Sequence, residues 1–357
     1  MCEFTLCDFR KAAGSKIKKR MISLITAGCM VLSMAGCTSG GSSQADASTT
    51  SETSATQSAE TAAEGAKYTI GICQLVQHDA LDAATQGFKD AIVEALGEDA
   101  VTFDEQNAQN DTNTCATIIT GFVASDVDLI LANATPALQA AQAGTDTIPV
   151  LGTSVTEYGV ALGIDDFDGL VGTNISGTSD LAPLDEQAAM IQELFPDAKT
   201  VGLLYCSAEA NSQYQVDTVK ADLEAMGYIC EYYAFSDSND LSTVCQSAAD
   251  ASDVIYVPTD NTAANNTELI NNICYGKVPV VAGEEGICSG CGVATLSISY
   301  YDLGVATGKM AVKILTGESK VEEMPIEYAP QFTKKYNPAN AEALGITIPD
   351  DYVAIEE

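Results

Sequence analysis

The feature that most constrains this chain is a repeat. Lys67–Asp82 (KYTIGICQLVQHDALD) carries apolar Tyr68, Ile70, Ile72 and Leu75 and then breaks at a polar elbow, Gln77-His78-Asp79. The apolar part reads as a buried strand. From Ala80 the spacing is helical, with Asp79 expected as the N-cap. From Lys199 the same order returns in KTVGLLYCSAEANSQYQVDTVKADLEAMG: strand, polar elbow, helix, closing Gly. Two further stretches repeat, Asp128-Leu-Ile-Leu-Ala-Asn in Asp253-Val-Ile-Tyr-Val-Pro, and Thr147-Ile-Pro-Val-Leu-Gly in Lys277-Val-Pro-Val-Val-Ala-Gly. The three offsets are 132, 125 and 130 residues. Nearly constant offsets mean two copies of one α/β lobe, and 357 residues suffice for two cores.

Strand and helix alternate within each copy, the pattern of a parallel sheet covered on both faces. In the first copy strands are expected near Lys67–Cys73, Val101–Asp104, Asp128–Leu131, Ile148–Leu151 and Leu170–Asn174. Helices are expected near Ala80–Leu96, Asn113–Ala124 and Thr135–Ala143. In the second, helices are expected at Glu209–Met226 and Thr262–Ile273, followed by one at Asp302–Leu315 that returns to the first lobe. The expected division is 67–177 with 295–327 for lobe 1, 178–294 for lobe 2, and 328–357 as a polar C-terminal tail with weak signals.

The first 66 residues read as an address and a tether. Lys16-Ile17-Lys18-Lys19-Arg20 is a basic cluster, and Met21–Met34 is an apolar run too short for a comfortable membrane span. Met34-Ala35-Gly36-Cys37 resembles the bacterial lipobox, in which the Cys is lipidated and becomes the mature N-terminus. Residues 1–37 are therefore expected to be a signal peptide. Thr38–Ala66, rich in Ser, Thr, Ala and Glu, is expected to be a flexible tether. Together they imply a folded part held on the extracytoplasmic face of the cell membrane by a lipid anchor.

Charge narrows the partners. Six of the 16 basic residues and two of the 50 acidic ones precede Cys37, leaving ten Lys and no Arg against 48 acids, a net charge of −38. Such a surface repels phosphate backbones, which excludes nucleic acid. A bound carboxylate must be held by hydroxyls, backbone N–H groups or Lys, because there is no guanidinium fork. Eight cysteines follow Cys37, and Cys288-Ser-Gly-Cys291 has metal-like spacing. It lacks a second such pair, and the one histidine, His78, lies far away in sequence, so no metal and no cofactor is expected. One histidine and no Gly-x-Ser-x-Gly elbow also speak against an enzyme.

Two like lobes with facing strand ends define a cleft that closes on a ligand. Aligned by the repeat, Gln77 and His78 face Glu209 and Asn211, Thr135 faces Asp260 and Asn261, and Thr153 and Ser154 face Glu284. Hydroxyls dominate the first lobe and carboxylates the second, which suits a zwitterion. Thr135, Thr153, Ser154 and helix-start N–H groups would hold its carboxylate. Asp260 would hold its ammonium, with Asp180 or Glu284 assisting.

The ordered set LVQHDALDAATQGF, NATPALQAA, TSVTEYG, ISGTSD, YCSAEANS, VPTDNT and DLGVATGKMAVKILTGE resembles the ABC-transporter substrate-binding lipoproteins of the tryptophan/tyrosine type. The resemblance covers roughly Tyr68–Glu327. It implies a type I periplasmic-binding fold, two Rossmann-like lobes joined by three crossovers. It also implies a monomeric, non-enzymatic protein that delivers an aromatic amino acid (Tyr, Phe or Trp) to an ABC permease. The family's E-H-P elbow falls on Gln77-His78-Asp79, so Gln77 replaces an acid and Asp79 a Pro. Its A-T-P falls on Ala134-Thr135-Pro136, and its T-A-V-T-D on Thr153-Ser154-Val155-Thr156-Glu157. Its S-E-x-N-S falls on Ala208–Ser212, with Ala208 in place of Ser, and its D-N on Asp260-Asn261. A nucleoside, a branched-chain amino acid or a sugar remain as other ligands, as does a sensor role beside a membrane signalling partner.

Overall fold

The computed structural model describes residues 67–356, so the expected signal segment, Cys37 and the tether lie outside the described residues. β1 (Tyr68–Gln74), α1 (Asp79–Leu96), β2 (Val101–Asn107), α2 (Thr112–Ala124), β3 (Leu129–Asn133), α3 (Thr135–Gly144), β4 (Val150–Val155), α4 (Tyr158–Leu162) and β5 (Ile175–Ser179) follow one another in the first lobe. The second lobe begins with α5 (Leu184–Leu194), β6 (Thr200–Cys206), α6 (Ala210–Met226), β7 (Ile229–Phe235), α7 (Ser238–Ala251) and β8 (Val254–Val257). It continues through α8 (Asn261–Ala264), α9 (Thr267–Cys274), β9 (Val280–Ala282), α10 (Glu285–Cys291) and β10 (Ala294–Ser297). The chain ends with α11 (Tyr300–Leu315), β11 (Glu327–Tyr328), β12 (Thr333–Tyr336), α12 (Pro338–Leu344) and β13 (Val353–Ala354).

The first sheet has the order β2-β1-β3-β4-β5-β11 and the second β7-β6-β8-β9-β10-β12-β13. All pairings are parallel except β10 with β12. The order 2-1-3-4-5 thus occurs twice. In such sheets ligands bind beyond the carboxyl ends of the strands, where the order reverses. Apolar side chains fill both faces of each sheet, Phe88 and Phe122 packing on opposite faces of the first.

The chain passes between lobes three times, after β5, after β10 and after β11. After the second passage α11 lies against α1, and the contact is close enough to require glycine. A Cβ on Gly304 would stand 2.0 Å from the Ala84 carbonyl oxygen, and one on Gly87 would stand 2.1 Å from that of Tyr301.

Several sequence expectations need correction. The fifth strand lies at Ile175–Ser179, not Leu170–Asn174, because the preceding stretch takes positive φ at Gly163, Gly169 and Gly172. The helix expected over Thr262–Ile273 is split into α8 and α9 at Asn265-Asn266. β10, placed by sequence in lobe 1, pairs with β9 in the second sheet. The residues taken as a tail supply β12, α12 and β13 to that same sheet. Thr333-Lys-Lys-Tyr is short and lysine-rich, as strands near a sheet edge often are, and so gives little apolar signal. At α1 the N-cap position is His78, and Asp79 is the first helical residue.

Candidate functional site

The first elbow is held from below. Gln74 Nε2 donates to the Val76 carbonyl (2.9 Å) and to Asp82 Oδ1 (2.6 Å), while Thr85 Oγ1 donates to Gln74 Oε1 (2.6 Å). Asn133 Nδ2 at the end of β3 donates to Thr85 Oγ1 at 2.9 Å, tying the two central strand ends together. β4 bulges between Gly152 and Val155, and within the bulge Ser154 adopts a left-handed backbone with φ 54°. A non-glycine residue in that region costs free energy and tends to mark a functional position.

In the second lobe the polar groups are largely occupied within the lobe. Asp260 accepts from the Ala263 N–H (2.8 Å), capping α8, and from the Cys206 N–H (2.7 Å), fixing the end of β6. Glu284 caps α10, accepting from the N–H groups of Gly286 and Ile287. Glu209 accepts from both the backbone and the side chains of Asn261 and Thr262, at 2.7 to 3.0 Å. Gln215 clamps Thr259 through its N–H (3.0 Å) and carbonyl (3.1 Å), and Asn211 Nδ2 reaches the same carbonyl at 3.0 Å.

Where the strand ends meet, the lobes touch. His78 Nε2 lies 3.3 Å from Asn261 Oδ1, and Asn110 Nδ2 donates to Thr262 Oγ1 at 2.9 Å. They enclose a cavity of about 10 Å³ bordered by His78, Ser154, Asp180, Asn211, Asp260, Asn261 and Glu284. Three of the seven present a buried side-chain oxygen with no hydrogen-bond partner: Ser154 Oγ, Asp180 Oδ1 and Asn211 Oδ1. Buried polar groups are normally paired, so three at one place form a site that lacks its complement. The volume is about that of a single water, so an amino acid enters only if the lobes part.

Electrostatics separate the carboxylates. Burial raises the Asp180 carboxyl above its ordinary value, against the opposing hydrogen bond from Tyr300. Burial, with the neighbouring Glu209 charge, pushes Asp260 up to about 8. Burial takes Glu284 to about 7. His78 is lowered, chiefly by burial, with the Asn261 hydrogen bond opposing. Asp180 alone of the three cavity carboxylates keeps an oxygen unpaired.

Four expected site residues stand apart from this cavity. Gln77 is exposed. Thr135 begins α3 and is buried without bordering the cavity. The Thr153 hydroxyl joins a chain through Thr178 (3.3 Å) to Thr307 (2.8 Å), toward α11. Glu209 lies behind Asn261 and Thr262. Sequence reasoning missed Leu81, Thr156, Thr259, Ala264 and Tyr300, which also border the cavity. Tyr300 is its one aromatic residue among the described residues. Its signal was a Tyr directly after Ser299, whose side chain caps α11 where the chain re-enters lobe 1. Other aromatic side chains pack elsewhere: Tyr205 stands edge-on to Tyr232 with ring centroids 6.0 Å apart, Tyr256 donates to Gln187, and Phe167 joins the first core.

A larger groove of about 600 Å³ lies beside the crossovers. Its Glu285, Lys335 and Ser297 side chains bond one another, and none of the unpartnered buried oxygens borders it. All eight described cysteines are free and buried, and no group of residues suited to a metal ion occurs among the described residues.

The chain matches the family model of the ABC transporter substrate binding protein over residues 69–356. It is 35% identical over 312 residues to a tyrosine-binding protein of Clostridioides difficile (strain R20291), covering 86% of this chain and 87% of that one. It superposes with a TM-score of 0.76 on an ABC domain from Streptococcus pneumoniae in complex with L-Trp, at 32% identity, covering 80% of this chain and 97% of that one. The ligand-free, open structure of a substrate-binding protein with adhesive properties from Clostridium difficile is 37% identical, covering 81% of this chain and 100% of that one, with a lower TM-score of 0.62. Higher identity with poorer superposition fits a difference in lobe arrangement, and the interlobe hydrogen bonds agree. Two lobes, three crossovers and these matches have one reading: the chain has the type I periplasmic-binding fold and belongs to the family of ABC transporter substrate-binding proteins, which bind solutes and are not enzymes.

Proposed function

We propose that this chain captures an aromatic amino acid between its lobes and presents it to an ABC permease, as a lipoprotein anchored through Cys37 on the extracytoplasmic face. The observation that carries the ligand class is the set of three unpaired oxygens. Asp180 Oδ1 and Asn211 Oδ1 can only accept, and an ammonium can donate to both. The Ser154 hydroxyl can donate to a carboxylate. A zwitterion supplies both complements, and the Ser154 hydroxyl is a neutral donor that serves where no guanidinium is present. The aromatic side chain is supported by the tyrosine-binding and L-Trp-bound relatives and by Tyr300 at the cavity wall. The lipid anchor is supported by the basic cluster, the apolar run and Met34-Ala35-Gly36-Cys37.

A thermal-shift series with amino acids, nucleosides and sugars tests the ligand class, since a ligand that binds only the folded state raises its melting temperature. The expected result is a shift with Tyr, Phe or Trp after removal of co-purified ligand by unfolding and dialysis. A shift confined to a nucleoside or a sugar would overturn the amino-acid reading.

A further inference from the structure

We propose that Glu209 is a positioning residue for lobe closure, acting through the two hydrogen bonds that cross the cleft and not through the ligand. The proposal rests on the reading of the interlobe cavity as the ligand site. Both crossing bonds end on adjacent residues of α8, Asn261 and Thr262. Both of those residues are bound by the same carboxylate. Glu209 Oε2 accepts from the Asn261 N–H (3.0 Å) and Nδ2 (2.7 Å), and Oε1 accepts from the Thr262 N–H (2.9 Å) and Oγ1 (2.8 Å). A carboxylate with these four donors, and with the more distant Asn211 Nδ2 at 3.4 Å from Oε2, has no capacity left for a ligand ammonium, and Glu209 does not border the cavity.

Its effect is to set the polarity of the latch. An ionised carboxylate only accepts, so the Asn261 amide must turn its NH2 toward Glu209 and its oxygen toward His78. His78 Nε2 must then carry the proton and donate. The Thr262 hydroxyl gives its only hydrogen to Glu209, which leaves its lone pairs for Asn110 Nδ2. In both bonds lobe 2 accepts and lobe 1 donates, and one side chain fixes that arrangement. Glutamine at this position would set its own NH2 against two donors and free the Asn261 amide to turn over.

The test combines hydrogen exchange on the full chain with L-tyrosine titration. Glu209→Gln is expected to speed amide exchange in the lobe 1 segment His78–Ala83, which lies across the cleft from Glu209 and is joined to it only through the latch bond of His78 to Asn261. It is also expected to weaken L-tyrosine binding on the order of tenfold in a wild-type background. In a background lacking the latch, His78→Phe with Asn110→Gly, the same substitution is expected to have little further effect on either readout. An equal loss of affinity in both backgrounds, or unchanged exchange at His78–Ala83, overturns the proposal. If the unsubstituted protein binds no L-tyrosine, the aromatic amino-acid reading fails instead, and the exchange comparison in the two backgrounds still decides the role of Glu209.

Discussion

Tyr300 donates its hydroxyl proton to Asp180 Oδ2 at 3.0 Å, joining the start of the first crossover to the start of α11 just past the second. The other oxygen of the same carboxylate is the unpaired one in the interlobe cavity. A ligand ammonium bound there would contact a side chain that is itself part of the hinge, so ligand contact and lobe geometry meet at one residue.

Asp180→Asn should retain the Tyr300 hydrogen bond and the fold while removing the charge. Stripping one partner from a buried charged pair costs roughly 2–5 kcal/mol, so affinity for the amino acid should fall at least about 30-fold by calorimetry. The raised Asp180 pKa gives a second readout. An ammonium is held by the ionised carboxylate, so affinity should decline as pH is lowered through that raised value. Calorimetric titrations over a pH series measure the decline.

Asp260→Ala should act on stability more than on ligand contact. It removes the cap of α8 and leaves the Cys206 and Ala263 N–H groups unpaired. A lost cap is worth about 1 kcal/mol and an unpaired buried donor roughly 1–3 kcal/mol. The melting temperature of the unliganded protein should fall on the order of 5–10 °C.

Ser154 allows a separation of backbone from side chain. Ser154→Gly accepts φ 54° and removes the CH2OH side chain with its hydroxyl, so the fold should persist while affinity falls about 5- to 10-fold. Ser154→Val, β-branched in the left-handed region, should destabilise by roughly 1–3 kcal/mol in denaturant unfolding.

How far the sequence was legible follows from what its patterns encode. The apolar period and the repeat located both elbows, so His78, Ser154, Asp180, Asn211, Asp260 and Asn261 could be placed at strand ends that do converge. The pattern cannot reveal which backbone N–H groups a carboxylate will accept, and so Glu209, Asp260 and Glu284 read as ligand groups although the fold occupies their oxygens. Thr153 was on the right strand end, but it lies within the β4 bulge and its hydroxyl turns toward Thr178. β12 and β13 escaped notice because short, polar strands that extend an existing sheet need no apolar alternation of their own.

Stability should vary with pH in a direction fixed by the buried acids. In the unfolded chain carboxyls titrate near ~4, whereas folded Asp260 is raised to about 8 and Glu284 to about 7. Between these limits the folded state holds more protons than the unfolded one, so stability falls as pH rises. The high net negative charge acts in the same direction. The unliganded protein should therefore melt higher at pH 6 than at pH 8.5, as calorimetric scans would measure.

The most direct measurement compares calorimetric binding of L-tyrosine with that of its deaminated analogue, 3-(4-hydroxyphenyl)propionate, in the unsubstituted protein and in Asp180→Asn. The account predicts that the unsubstituted protein prefers L-tyrosine by at least about 30-fold and that Asp180→Asn loses most of this preference, because the ammonium is recognised at Asp180 Oδ1. Equal binding of the two compounds by the unsubstituted protein, or a preference that survives the substitution intact, would contradict it.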